Sequence, residues 1–443
     1  MTQNLKQNIP AIIVMIFLFG MIAFVTNLAS PMGDILKHQF TISNLEGTLG
    51  VFAIFIAYAI MGYPAGQILH KHGYKKTALL AISIGFVGVG IQAFSGVAES
   101  FGIYLLGAFV AGFSMCLLNT VVNPMLNKLG GGGNKGNQLI QVGGVFSSLS
   151  GTSVIILTGL LIPSIAQAQI SDVFPLMFAA LAIFAVAFVV ISVANIPENS
   201  EGIPAFAGMT DEGAGMTSEK EKSPLAYRHF VLGAIGVFVY VGIEVGIPNV
   251  LNKWLQNPTL NVLGAVNAEA VAASVAATYW FLMLIGRFVG IAVASKVSAK
   301  AMLTFTACLG LILTLSAIFF ATSSAMVSMP VFKNEAYALF GFANVPISAV
   351  FLVCLGLCTS VMWGGIFNLA VEGLGKQTEK ASGIFMMMVC GGGILPLLQN
   401  GIVDMTGGIG CLTSYWVVVA GLLYLLYYAL IGCKNVNVEL QKA

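Results

Sequence analysis

Apolar runs of about twenty residues recur along the whole chain, each bounded by a charge, a Gly/Pro/Asn cluster or a polar loop. A run of that length is what an α-helix needs to cross the hydrocarbon core of a bilayer. In the first half the runs cover residues 9–36, 47–70, 76–97, 100–127, 138–163 and 173–196. In the second half they cover residues 229–255, 270–296, 299–321, 346–371, 380–403 and 411–433. The pattern predicts an all-α membrane protein with twelve transmembrane helices in two six-helix bundles. Residues 197–228 interrupt it, rich in Pro, Gly, Glu, Lys and Ser, with the echo Gly208-Met209-Thr210 and Gly215-Met216-Thr217. That stretch reads as a cytoplasmic linker between an N-terminal bundle (1–196) and a C-terminal one (229–443).

Composition agrees with the pattern. Of 443 residues, 58% are hydrophobic and 8% charged, where a soluble domain carries about a quarter charged. A net charge of +2 implies no nucleic-acid partner. The first run has no small-residue cleavage site and is followed by many more, so it is expected to be a retained span. Of the 19 Lys and Arg residues, all but Lys37, Lys253 and Lys333 fall on one side when both termini are placed in the cytoplasm. The expected location is therefore a bacterial-type cytoplasmic (inner) membrane, crossed many times. Cys354 and Cys358 share a helical face, but no histidine or acid joins them at metal-ligand spacing. The glycine run 130–133 follows a helix and lacks a Lys-Ser/Thr ending, so it is no phosphate loop. No nucleophile–base pair stands at membrane depth. The sequence thus implies neither an enzyme, a metal nor a cofactor.

Polar side chains inside the runs are the candidates for function. A charge in hydrocarbon costs roughly 2.5–3.5 kcal/mol on insertion scales, so it is expected to face a water-filled cavity. The seventh run carries one acid, Glu244, between Gly242 and Gly246 and four residues before Pro248, which predicts local bending or unwinding. Glu244 is either locked in a packing salt bridge or is a coupling or substrate site. At about 1.5 Å per residue it lies roughly 24 Å into its helix, and Arg287 about 15 Å into the eighth. A pair between them requires tilt, unwinding or a snorkelling arginine; otherwise Gly286-Arg287-Phe288 braces the inner gate. Asp34 lies about 38 Å along the first helix, where spacing alone suggests a solvated helix-end acid.

Asn119 and Asn123, at i and i+4, share one face of the fourth helix, and Gln141 opens the fifth run. Such amides serve helix packing or, in a cavity, meet the paired donors and acceptors of a polyhydroxylated ligand. Asn27, Asn249 and Asn368 extend that set. Trp280 and Trp363 offer apolar platforms for a sugar ring, or else face lipid or core.

The halves echo each other. Asn27 stands four residues before Pro31 as Glu244 stands before Pro248, and Gly66 precedes Lys76 as Gly290 precedes Lys300. Leu129-Gly130 answers Leu374-Gly375, and Gly143-Gly144 answers Gly391-Gly392. This order suggests two parallel repeats with a site between them at the midplane, the plan of the major facilitator superfamily. Several stretches carry a closer resemblance: Met32-Gly33-Asp34-Ile35-Leu36, Tyr63-Pro64-Ala65-Gly66, Asn119-Thr120-Val121-Val122-Asn123-Pro124, Tyr240-Val241-Gly242-Ile243-Glu244-Val245, Gly286-Arg287-Phe288, and Gly373-Leu374-Gly375 with Gly391-Gly392-Gly393-Ile394. Together they resemble the fucose/galactose/glucose–proton symporter family, from the first helix to the twelfth apart from the linker.

That resemblance implies a coupling acid at Asp34, while the family's acid on the fourth helix falls on Asn119, which cannot titrate. A family glutamine matches Gln141, the asparagine three residues on is Gly144 here, and a cavity aromatic matches Trp363. Glu244 is similar to the acid of the glucose/galactose branch. The expectation is a monomeric transporter that imports a hexose or amino-hexose, in preference to fucose, with protons by alternating access. Asp34 and Glu244 would couple the cation, Arg287 would gate, and Asn27, Asn119, Asn123, Gln141, Asn249, Trp280, Trp363 and Asn368 would meet the sugar. The partners are then a small sugar, protons and the lipid bilayer. Sodium coupling, export, and a non-transporting membrane sugar sensor are the rival readings.

Overall fold

The computed structural model describes residues 9–40, 49–161, 169–194, 196, 223–257, 260, 262–263, 268–321, 325–335, 338–406 and 410–434. Most of the expected linker, residues 197–222, lies outside them. Twelve helical crossings follow the hydrophobic runs closely. In the first half they are α1 (Ile9–Phe40), α2 and α3 within Leu49–Val97, α4 (Phe101–Leu129), α5 (Gly133–Leu161) and α6 (Phe174–Val193). In the second half they are α7 (Arg228–Gln256), α8 (Ala268–Ala294), α9 (Ala299–Phe319), α10 (residues 347–371), α11 (residues 378–406) and α12 (residues 410–432). Ten helical segments among the described residues are long and apolar enough to cross a membrane. Leu49–Val97, at 49 residues and so about 74 Å, is long enough for two of the crossings.

Local chemistry sets the ends and breaks of these helices. Gly73 (φ 77°, ψ 177°) reverses the chain between α2 (residues 49–72) and α3 (residues 74–97), a conformation that side-chain-bearing residues rarely adopt. Ser100 and Ser298 cap α4 and α9 by accepting the N–H groups of Ile103 and Ala301. Two helices near the bundle interface are interrupted. α10 breaks after Thr359 and resumes at Met362, and α11 passes through a 3₁₀ turn at Met388–Cys390. By contrast α7 runs unbroken through Gly242, Gly246 and Pro248, so the unwinding expected there is not present. Those glycines instead admit α11: a Cβ on Gly242 would meet Leu395, and one on Gly246 would meet Gln399.

One element departs from the all-α expectation. Met326–Glu335 (β1) and Ala338–Pro346 (β2) pair as an antiparallel ribbon between α9 and α10, in register from Met326 opposite Pro346. The ribbon is fixed to α8: the Phe332 N–H donates to the Thr278 hydroxyl at 2.8 Å. Phe281 stacks on Phe332 (5.4 Å, 14°) and meets Phe340 edge-on (5.3 Å, 68°).

The two halves meet toward the end that carries the lysine-rich loops, here termed the basic end. α2 and α11 approach backbone to backbone: a Cβ on Gly383 would lie 2.4 Å from the Gly66 nitrogen and 2.5 Å from the Gly62 oxygen. Only glycine allows that approach, as small residues do between membrane helices. Beside it, Glu379 of α11 receives Lys128 of α4 at 3.0 Å and lies 3.3 Å from His70 of α2. Lys128 also stands 4.8 Å from the centre of the Tyr74 ring.

Candidate functional site

The site begins on α4, where Asn119 and Asn123 stand one turn apart as their spacing predicts. Asn119 Nδ2 donates to the Tyr58 hydroxyl of α2 at 2.8 Å, and Asn123 Nδ2 donates to the Asn119 carbonyl at 2.9 Å. Asn123 Oδ1 then accepts the indole N–H of Trp363 at 2.9 Å, across the boundary between the bundles. Trp363 comes from the short second segment of α10, just past the break. Its ring packs on Tyr240 of α7 (6.2 Å) and edge-on to Phe385 of α11 (5.8 Å, 76°). Asn119 and Trp363 are each half-buried.

Tyr240 carries the chain of contacts to the ion pair. Its hydroxyl donates to Glu244 Oε1 at 2.8 Å, one turn along α7. Arg287 Nη2 of α8 lies 3.5 Å from the same oxygen, with side-chain exposures of 12% for Arg287 and 14% for Glu244. The pairing that helix depth left open is therefore formed. It needs no unwinding, since α7 runs unbroken from Arg228 to Gln256 with the pair in place. The other guanidinium nitrogen, Nη1, donates to the Gly144 carbonyl of α5 at 2.8 Å and to the Ser148 hydroxyl. Farther toward the basic end, Gln141 Nε2 donates to the Val361 carbonyl at the α10 break (3.0 Å), and Gln138 Nε2 to the Ile291 carbonyl of α8 (3.1 Å).

Amides and an indole clustered between the bundles, with one compensated charge pair beside them, suit a neutral polyhydroxylated solute better than an ionic ligand. Among the described residues no group of three or more His, Cys, Asp or Glu could hold a metal ion.

The profile of the Major Facilitator Superfamily matches residues 12–396. The chain belongs to that superfamily. Relatives in sequence include the glucose/galactose transporter of Brucella abortus biovar 1 (strain 9-941), 29% identical over 440 residues, covering 98% of this chain and 97% of that one. The L-fucose-proton symporter of Escherichia coli (strain K12) is 21% identical over 413 residues, covering 87% and 86%. Among solved structures, the superfamily transporter FucP in the outward conformation superposes with a TM-score of 0.75 at 18% identity, covering 95% and 97%. The proton:xylose symporter XylE bound to 6-bromo-6-deoxy-D-glucose gives 0.70 at 14% identity, covering 95% and 94%. The protein is thus a multi-pass membrane transporter of the facilitator fold.

Within that frame the sequence candidates separate. Asn119, Asn123, Trp363, Glu244 and Arg287 are joined through Tyr240 in one chain of contacts, and Gln141 lies farther toward the basic end on the Val361 carbonyl. The others are more dispersed. Asn27 of α1 returns its amide to the Ala23 carbonyl (2.8 Å), and a Cβ on Gly151 of α5 would meet its side chain. Asn249 accepts from Asn400 of α11 at 3.2 Å, beside Lys253, in a polar patch farther along α7. Trp280 is half-buried, its ring edge-on to Tyr279 at 5.4 Å. Asn368 is buried in the second segment of α10. Asp34 falls in α1, but its side chain lies outside the described residues. Sequence reasoning missed Tyr58, Tyr240 and Ser148. Tyr240 was legible, four residues before Glu244 on one helical face. Tyr58 and Ser148 were not, because their partners lie on other helices.

Proposed function

We propose that this facilitator imports a monosaccharide with protons across a bacterial-type cytoplasmic membrane by alternating access, with both termini and the basic end in the cytoplasm. The substrate is a hexose or amino-hexose in preference to fucose. The carrying observation is the chain Tyr58–Asn119–Asn123–Trp363, which crosses from one bundle to the other and ends, through Tyr240, on the Glu244–Arg287 pair. Asn119, Asn123 and Gln141 hydrogen-bond sugar hydroxyls, and Trp363 packs against ring C–H groups. Asn27, Asn249 and Trp280 form the outer part of the sugar path, and Asn368, beyond Trp363 toward the basic end of α10, its inner part. With Asn119 in place of a helix 4 acid, proton binding falls to Glu244 and Asp34, and Arg287 gates. The names of the relatives support a hexose substrate, and the glucose analogue in the XylE structure is in keeping with it.

The test is transport in proteoliposomes with a panel of sugars. Hexose counterflow, together with sugar-induced alkalinisation of a sodium-free medium, is the expected result. A strict sodium requirement would replace the proton by sodium, and binding without any flux would leave a sensor. Glu244→Gln is expected to abolish uphill accumulation while sparing counterflow, which moves no net proton.

A further inference from the structure

Arg287 is a charged side chain that holds both bundles at once. Nη2 faces Glu244 of α7 in its own half, while Nη1 holds the Gly144 carbonyl and the Ser148 hydroxyl of α5 in the other half. The Arg287 side chain packs along α5 here, its Cδ 3.4 Å from where a Cβ on Gly144 would stand, which is ordinary contact. Residues 138, 141, 144 and 148 recur at three- and four-residue intervals, so they share one face of α5. They form successive rungs to Ile291, Val361 and Arg287, and Arg287 is the rung farthest from the basic end.

We infer that Arg287 converts the charge on Glu244 into the closure of the α5–α8 seam. With Glu244 ionised, the guanidinium is neutralised on one side and fully hydrogen-bonded on the other, so the closed seam is stable. When Glu244 takes a proton from the outer side, the guanidinium keeps its contacts to α5 but loses its counter-charge. An uncompensated buried charge is strongly unfavourable, whereas an intact or wholly removed pair is not. The relief is separation of α5 from α8 toward the basic end, which lets water reach Arg287. Loss of the proton on that side restores the pair and closes the seam. Arg287 is a positioning residue in this scheme and need not touch the sugar. The groups facing Glu244 are Tyr240 on its own helix and Arg287 and Tyr279 on α8; α5 presents only the neutral Gly144 carbonyl and Ser148 hydroxyl.

The inference rests on Glu244 being a coupling acid, and the experiment separates the two. Spin labels at the exposed positions 135 and 296, in a cysteine-free background that still transports, report the width of the seam without sugar. Acidification of the unmodified seam, or Glu244→Gln at neutral pH, is expected to raise the open-to-closed ratio at least tenfold. Arg287→Gln is expected to abolish the pH dependence, and Glu244→Gln with Arg287→Gln to return to a mostly closed seam. A double variant as open as Glu244→Gln alone would overturn the inference, as would Arg287→Gln with the full pH profile. If Arg287→Gln fails to fold, Arg287→Met, an apolar replacement of similar volume, carries the same test. Uphill sugar accumulation by Glu244→Gln would instead remove the coupling role of Glu244, whatever the seam does.

Discussion

Trp363 illustrates how one residue acquires its role from its neighbours. An indole in a membrane helix is unremarkable until its N–H finds Asn123 on the other bundle at 2.9 Å and its ring meets Tyr240 and Phe385. Aromatic contacts of this kind contribute about 1 kcal/mol, so Trp363→Ala is expected to weaken sugar binding by roughly fivefold or more in the purified, folded protein. Trp363→Phe keeps a ring but leaves Asn123 Oδ1 without its donor, and should fall between the two. Titration calorimetry checks both; unchanged affinity in the alanine variant removes Trp363 from the site. Tyr58→Phe tests the far end of the same chain. It deletes one of the two acceptors of the Asn119 amide, leaving the Met115 carbonyl, at a cost of about 1 kcal/mol, and should lower affinity without changing counterflow stoichiometry.

At the scale of elements, the approach of α2 to α11 decides whether the basic end can close. A Cβ on Gly383 would lie 2.4–2.5 Å from the backbone of Gly66 and Gly62, and helix backbones cannot yield as a flexible side chain would. Gly383→Val is therefore expected to hold the basic end apart, abolishing uptake while leaving insertion and melting temperature nearly unchanged. Labelling of a cysteine placed on the α11 face beside it should accelerate severalfold. Normal uptake by that variant would mean the two helices need not touch during transport. The β1–β2 ribbon shows the opposite relation between sequence and element. Its strands carry Pro330 and an uneven apolar pattern, and their stability comes from α8, through the Thr278 bond and the Phe281 stack.

For the whole molecule, magnitude separates the two charged clusters that join the bundles. His70 and Lys128 reach Glu379 at side-chain exposures of 36% and 20%, where screening leaves such pairs about 0–1 kcal/mol. Glu379→Gln should thus alter initial uptake rates by no more than about fivefold. The Arg287–Glu244 pair is more enclosed, at 12% and 14%, and removing one partner there should be more disruptive. A tenfold loss of uptake in Glu379→Gln would reverse that ranking. The polar, glycine-rich stretch at residues 199–222 has no apolar face to pack, so modest shortening should preserve transport in a normally inserted protein.

By itself the sequence determined the number of crossings, most helix ends to within a few residues, and the two-bundle plan. Hydrophobic length and the pattern of caps and glycines are local properties, and the bilayer imposes one spanning solution on them. It also singled out Asn119, Asn123, Gln141, Trp363, Glu244 and Arg287, because polarity at membrane depth is rare enough to be conspicuous. Tertiary structure alone decided which of them meet. Glycines 242 and 246 read as hinges in the sequence, yet they serve the packing of α11 on a continuous α7, since a small residue permits either and only the neighbouring helix selects. Likewise Arg287 could have braced an inner gate or paired with Glu244. Its guanidinium reaches Glu244 on one side and Gly144 with Ser148 on the other because the packing of α8 between α7 and α5 brings all of them within reach of a single side chain.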